Sequence, residues 1–141
     1  GTSVLIALPV IKNNDNQTAQ KSCCIVFIED REMVRNAMVI ALNRAGHTVH
    51  DFSNALEALD FAREHNKSID IIISDLNMPD MTGTEFLEQL QHDASSVPII
   101  LISGDENKLH SIRQEYTGQK ILFVSKPVHN ETLLQAIRAA V

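Results

Sequence analysis

The sequence predicts an α/β domain built on a five-stranded parallel sheet with helices on both faces. Between residues 22 and 141, short apolar runs alternate five times with stretches of helical periodicity. That alternation implies right-handed βαβ units and parallel pairing. Isoleucines at 69 and 71 to 73 form a nearly continuous β-branched run, the pattern of a strand buried on both faces. Several runs also end in polar or charged residues followed by Gly or Pro, so chemistry-bearing groups collect where strands give way to loops.

The elements follow in order. Cys23 to Ile28 is the first strand and leads into Glu29-Asp30. Arg31 to Ala45 carries Val34, Ala37, Met38, Ala41 and Ala45 at helical spacing, and Gly46 ends it. His47 to Phe52 alternates weakly, as a strand near a sheet edge does. Ser53 is placed to cap a helix whose inner face is Ala55, Ala58, Leu59 and Ala62. The isoleucine strand ends at Asp75, and Pro79 and Gly83 mark the loop before a helix through Phe86, Leu87 and Leu90. Val97 to Ile102 is the fourth strand, closed by Ser103-Gly104. A helix through Leu109, Ile112 and Tyr116 stops at Gly118. Lys120 to Val124 is the fifth strand, and Glu131 to Ala140 the last helix, with Leu133, Leu134 and Ile137 inward. The expected architecture is flavodoxin-like and doubly wound, with strand order 2-1-3-4-5.

Residues 1 to 21 stand apart from this domain. A short strand closed by Pro9 is followed by a polar, Asn- and Gln-containing stretch with the character of a flexible linker. One reading is an added edge strand or a cloning remnant. In the other, Gly-Thr-Ser, alternating apolar residues and Leu-Pro resemble the last strand of a histidine-kinase ATP-binding domain, which makes residues 22 to 141 the C-terminal part of a hybrid kinase.

Composition bounds the function. A length of 141 residues suits one domain, and a formal charge of −6 argues against a nucleic-acid surface. No apolar run approaches the roughly 20 residues needed to span a bilayer, so no membrane contact is expected of this segment. The adjacent Cys23 and Cys24 point to opposite faces of a strand, which opposes a disulfide between them. A cytoplasmic setting is expected. The six histidines show no metal-ligand spacing, and surface positions are expected for them.

The doubly wound order gathers Glu29, Asp30 and Asp75 at one rim of the sheet, with Ser103 and Lys126 from strands four and five beside them. Ligands bind outside the carboxyl ends of strands in such sheets. Clustered carboxylates call for a cation or for raised pKa values, and hard oxygen ligands suit Mg²⁺. Metal, ammonium, hydroxyl and carboxylate nucleophile make a phosphoryl-transfer set. Each residue alone has a plainer role: Glu29-Asp30 as a helix N-terminal pair, Asp75 in an Asx turn, Ser103 as an N-cap and Lys126 as a surface lysine. The conjunction of four strand ends in chain order favours chemistry.

On these residues the stretch from 22 to 141 resembles a response-regulator receiver domain. Glu29-Asp30, the segment from Asp75 to Gly83, Ser103-Gly104 and Ser125-Lys126-Pro127 carry the resemblance. It implies that Asp75 is the phosphoacceptor and that Asp30, Asp75 and the Asn77 carbonyl bind Mg²⁺, with Glu29 acting through water. It implies that Lys126 pairs with the phosphoryl group, that Ser103 hydrogen-bonds it, and that the Lys126–Pro127 bond is cis. Phe123 is the implied switch aromatic, with an inward rotamer partly populated before phosphorylation; its plainer role is as a core aromatic. Asn77 and Asp105 flank the phosphoryl site. The implied partners are a histidine-kinase phosphodonor domain and a histidine phosphotransfer domain.

Rival classes fit less well. A dehalogenase-like phosphatase needs a second Asp where Asn77 stands, a flavodoxin needs a phosphate loop where Glu29-Asp30-Arg31 stands, and no Walker-type loop is present. A freestanding regulator and a non-phosphorylated interaction module stay open.

Overall fold

The computed structural model describes residues 22–78, 80–93, 96–115 and 120–141. The expectations for residues 1–21, for the Pro79 loop position and for the Tyr116 and Gly118 helix end lie outside these residues. Five strands run as β1 (Cys24–Ile28), β2 (Thr48–Phe52), β3 (Ile71–Asp75), β4 (Ile99–Ser103) and β5 (Ile121–Ser125). Five helices alternate with them: α1 (Glu32–Arg44), α2 (Ala55–His65), α3 (Gly83–Asp93), α4 (Glu106–Glu115) and α5 (Asn130–Ala140). All pairings are parallel, and the sheet order is β2-β1-β3-β4-β5, the expected 2-1-3-4-5.

Strand side chains alternate between two cores, because successive Cβ atoms leave opposite faces of a sheet. Val26, Ile28, Ile72, Ile99 and Leu101 pack on one side with Ala55, Ala58 and Leu59 of α2, Phe86, Leu87 and Leu90 of α3, and Leu109 and Ile112 of α4. Ile25, Phe27, Ile71, Ile73, Ile100 and Ile102 pack on the other with Met38 and Leu42 of α1 and Leu133, Ile137 and Ala140 of α5. Every residue of β3 and β4 is buried, which explains why their sequences read as continuous apolar runs. Leu134 is only partly buried against the second core.

Two local expectations need correction. In α1 the buried residues are Met38 and Leu42, and Val34 and Ala37 are exposed. Val34 and Ala37 instead line an open cavity with Phe27 and Ile102 of the sheet, which leaves them uncovered. In α2 the cap is Asn54, whose side chain accepts from the Glu57 N–H at 2.9 Å, one residue after Ser53. Asp80 accepts from the Ala55 and Leu56 N–H groups at 3.1 and 3.0 Å, so the loop after β3 also ties down the start of α2. At Gly46 φ is +97°, a left-handed conformation that favours glycine after a helix.

The histidines are not all at the surface. His47 is partly buried, and its Nδ1 accepts the Cys23 N–H at 3.1 Å, which requires a neutral ring. Burial, and secondarily the Arg138 charge, hold its pKa below the ordinary 6.5. The unfolded chain therefore binds this proton more readily than the folded one. The stabilisation is complete above about pH 6.5 and shrinks as pH falls below it. Urea denaturation between about pH 7.5 and pH 5.5 should show a falling midpoint, and His47→Gln should flatten that fall; an unchanged slope in the variant would assign the pH dependence to other groups.

Candidate functional site

The C-terminal rim of the sheet is where the charged groups meet. Register sets Ile28 beside Ser74 and Asp75 beside Ile102, while Ser103 lies beside Ser125. The last residues of β3 and β4 therefore come to one edge, and Lys126 follows immediately after β5. The Lys126–Pro127 peptide is cis. The Lys126 N–H donates to the Ser103 carbonyl at 3.0 Å, which fixes where the lysine leaves the sheet.

Asp75 is 4 % exposed, and both of its carboxylate oxygens are engaged. Oδ1 accepts the Asn77 N–H at 2.9 Å, an Asx-type turn that shapes the following loop. Oδ2 accepts from Lys126 Nζ at 2.6 Å. A short charge-assisted bond of this kind offsets the cost of removing a carboxylate from water. The Ser74 hydroxyl donates to the Asp75 carbonyl at 2.9 Å, so the polar side chain of the preceding residue is satisfied as well.

Glu29, 5 % exposed, is bound by the residue after the acidic pair. Arg31 donates to Glu29 Oε2 from its backbone N–H at 3.0 Å and from Nε at 3.1 Å, and Nη2 reaches Oε1 at 3.4 Å. The same Nη2 lies 3.8 Å from Asp75 Oδ2. The hydrogen bond and charge of Glu29, with smaller contributions from Asp75 and Asp30, raise the Arg31 pKa further above its ordinary range. Two cations thus hold two buried carboxylates, and sequence reading identified only one of them.

The remaining residues are distributed around this pair. Asp30 is exposed and lines a cavity of about 330 Å³ with Asn77, Thr82 and Lys108. Ser103 is fully buried, and its Oγ accepts the Asp105 N–H at 3.0 Å. Asp105 turns toward α4, accepting from the Asn107 and Lys108 N–H groups at 3.0 and 3.2 Å. Phe123 is partly buried, with the Arg113 guanidinium 4.8 Å above its ring. That cation–π contact was not legible in the sequence, because nothing in either helix or strand periodicity says which two positions meet.

The family model described as the response regulator receiver domain matches residues 25–138. The chain belongs to that family. The receiver's curated relatives include the sensor kinase CckA of Brucella abortus, 35 % identical over 83 % of this chain and 12 % of that protein. Another is the transcriptional regulatory protein PhoP of Escherichia coli K12, 28 % identical over 82 % of this chain and 50 % of that protein. The chain thus spans half or less of the length of these two relatives. Among solved structures, the chemotaxis response regulator CheY4 of Vibrio cholerae superposes with a TM-score of 0.74 at 26 % identity, covering 86 % of this chain and 100 % of that one. The receiver domain of the hybrid histidine kinase CckA superposes with a TM-score of 0.70 at 27 % identity, covering 83 % and 97 %. Receiver domains of two-component systems accept a phosphoryl group on an aspartate and interact with histidine-kinase phosphodonors. No helix among the described residues is long and apolar enough to cross a membrane.

The oxygen donors of the receiver rim are of the hard type that Mg²⁺ prefers: the carboxylates of Glu29, Asp30 and Asp75 and the carbonyl of Asn77. Among the described residues no group of three or more acidic, His or Cys side chains is drawn together tightly enough for a metal. Glu29 is turned toward Arg31 and Asp30 toward solvent. The oxygen types suit a hard cation by chemistry, although the side chains are not gathered around one point, and the charges of Arg31 and Lys126 stand against the two buried carboxylates.

Replacing Lys126 should expose the cost of burying Asp75. Lys126→Ala is expected to lower the free energy of unfolding by about 1–2 kcal/mol, less than for a fully buried pair because the lysine is partly exposed. In an Asp75→Asn background the same substitution should cost no more than about 0.5 kcal/mol. Equal losses in both backgrounds, measured by urea denaturation, would contradict the coupling.

Proposed function

We propose that this receiver takes a phosphoryl group from a kinase histidine onto Asp75, within a hybrid histidine kinase phosphorelay. The observation that carries the reading is Lys126 Nζ on Asp75 Oδ2 at 2.6 Å, at the carboxyl rim of the central strand. An Asp75 oxygen attacks phosphorus, the P–N bond to the donor imidazole breaks, and its electron pair returns to the ring nitrogen, which takes up a proton. Lys126 holds Asp75 oriented and then faces the added negative charge. Hydrolysis of the aspartyl phosphate by water resets the domain.

Mg²⁺, when bound by Asp30, Asp75 and the Asn77 carbonyl with Glu29 acting through water, neutralises phosphoryl charge. A Pseudomonas aeruginosa PAO1 sensor-kinase receiver, 17 % identical, is described with magnesium in its active-site cleft; the hard oxygen set here supports the same cofactor. Ser103 carries the switch. Its Oγ turns to the phosphoryl group and gives up the Asp105 N–H, loosening the first turn of α4, and Phe123 moves with it. The Arg113 contact supplies an outward hold that the missing phenolic hydroxyl does not, which tempers the inward bias expected of Phe.

The phosphodonor approaches over the N-terminal turns of α1. There Met33, 85 % exposed, and Val34 join Phe27, Ile102, Lys126 and Val128 around a cavity of about 700 Å³ that reaches Glu29 and Arg31. An apolar shelf beside the reacting carboxylate suits a helical histidine-bearing domain of the kinase or of a phosphotransfer protein. The kinase-like pattern of residues 1–21 and the likeness to CckA favour the hybrid context and a cytoplasmic setting; the likeness to PhoP favours a freestanding regulator.

Incubation with Mg²⁺ and a small acyl-phosphate donor should add the mass of one phosphoryl group to the wild-type chain. Asp75→Asn and chelator-treated samples should gain none. Mass gain by the Asp75→Asn chain equal to wild type would remove Asp75 from the reading, and no gain by any sample would leave an interaction module.

A further inference from the structure

Arg31 is a permanently charged group joined to two buried carboxylates yet itself half exposed. Its side chain is 54 % exposed, while those of Glu29 and Asp75 are 6 % and 4 % exposed. It grips Glu29 through both Nε and Nη2 and reaches Asp75 Oδ2 at 3.8 Å. A guanidinium cannot shed its proton at accessible pH, so it cannot make way for another cation by neutralising itself. It can only swing outward, and its exposed stem, at the edge of the large cavity beside α1, allows that.

We propose that Arg31 is an internal counterion that a divalent cation must displace, so that metal binding at this rim is an exchange of one cation for another. The inference rests on the metal reading given above. Arg31 and an incoming cation, with the water that would link it to Glu29, draw on the same two carboxylates, and two positive centres beside them repel. Lys126 does not compete in the same way, because among the carboxylates of the described residues its ammonium pairs with Asp75 Oδ2 alone, and its backbone N–H is fixed to the Ser103 carbonyl. Arg31 is therefore a specificity-determining residue: it lowers the affinity of the unphosphorylated domain for the metal and reserves Glu29 until the cation arrives. The backbone N–H of Arg31 also donates to Glu29, so that carboxylate keeps one partner when the guanidinium leaves.

The 141-residue chain, its Arg31→Gln variant and its Arg31→Lys variant should be titrated with MgCl₂ and followed by amide chemical shifts around Asp75. Arg31→Gln is expected to bind Mg²⁺ roughly fivefold more tightly, the scale expected for removing a half-exposed ion pair. Arg31→Lys, which keeps the charge but not the two-point grip on Glu29, should fall between wild type and Arg31→Gln. In a Glu29→Gln background the gain from Arg31→Gln should shrink, because the pairing it relieves is already broken. Equal or weaker binding by Arg31→Gln would overturn the exchange. Should Arg31→Gln fail to fold, Arg31→Met, which preserves the apolar stem, gives the same reading with the same two outcomes. Absence of Mg²⁺ binding by every chain would overturn the metal reading itself, and is thereby distinguishable from failure of the exchange alone.

Discussion

A carboxylate held out of water at the end of a fully buried strand is the constraint around which this domain is arranged. Asp75 closes β3, whose five residues are all buried. Removing such a charge from water costs several kcal/mol unless it is paired and hydrogen-bonded. The fold supplies both. The turn after β3 returns the Asn77 N–H to one oxygen, and β5 ends where Lys126 meets the other. A lysine placed a residue earlier in the strand would point to the opposite face, since side chains alternate along a strand. The register between β4 and β5 is thus as much a part of the site as the lysine itself.

The two-sided core makes that placement rigid. Helices α2, α3 and α4 cover one face and α1 and α5 the other, so β3 has no freedom to shift its end toward solvent. Strand ends at a parallel sheet's carboxyl rim are where backbone pairing stops while packing continues. Polar side chains there can be buried and still reach across to neighbouring strands. Ser103 shows the same economy: its carbonyl receives the Lys126 N–H and its hydroxyl the Asp105 N–H, joining β4, β5 and the start of α4 through one residue.

Much of this was legible in the sequence because the signals are local. The isoleucines of β3, the inner face of α2 and the polar residues at four strand ends all follow from periods of two or 3.6 and from punctuation by Gly and Pro. What escaped is carried by side chains meeting across long sequence separations. Asp80 capping α2, Arg113 lying over Phe123 and Lys108 standing beside Asn77 have no periodic signature. Arg31 escaped for another reason. It was legible as the residue that separates this loop from a phosphate-binding one, but charge type alone does not tell whether an arginine faces water or folds back on the acid two positions earlier. The α1 stripe was misjudged because helical period alone does not tell which apolar positions are covered: Met38 and Leu42 are, while Val34 and Ala37 border an open cavity.

These long-range contacts form a physical chain from the acidic rim to an outer face. Ser103 Oγ holds the Asp105 N–H, Asp105 caps the first turn of α4, and two turns further along α4 Arg113 rests on Phe123 of β5. Phe123 in turn lies beside Leu101 on β4, two residues before Ser103. The path therefore closes on itself: the hydroxyl that would leave Asp105 belongs to the same strand that positions the ring under Arg113. A charge added at Asp75 pulls on one point of this loop. Because packed side chains shift between discrete arrangements rather than deforming smoothly, α4 and the ring beneath it are the elements placed to move together.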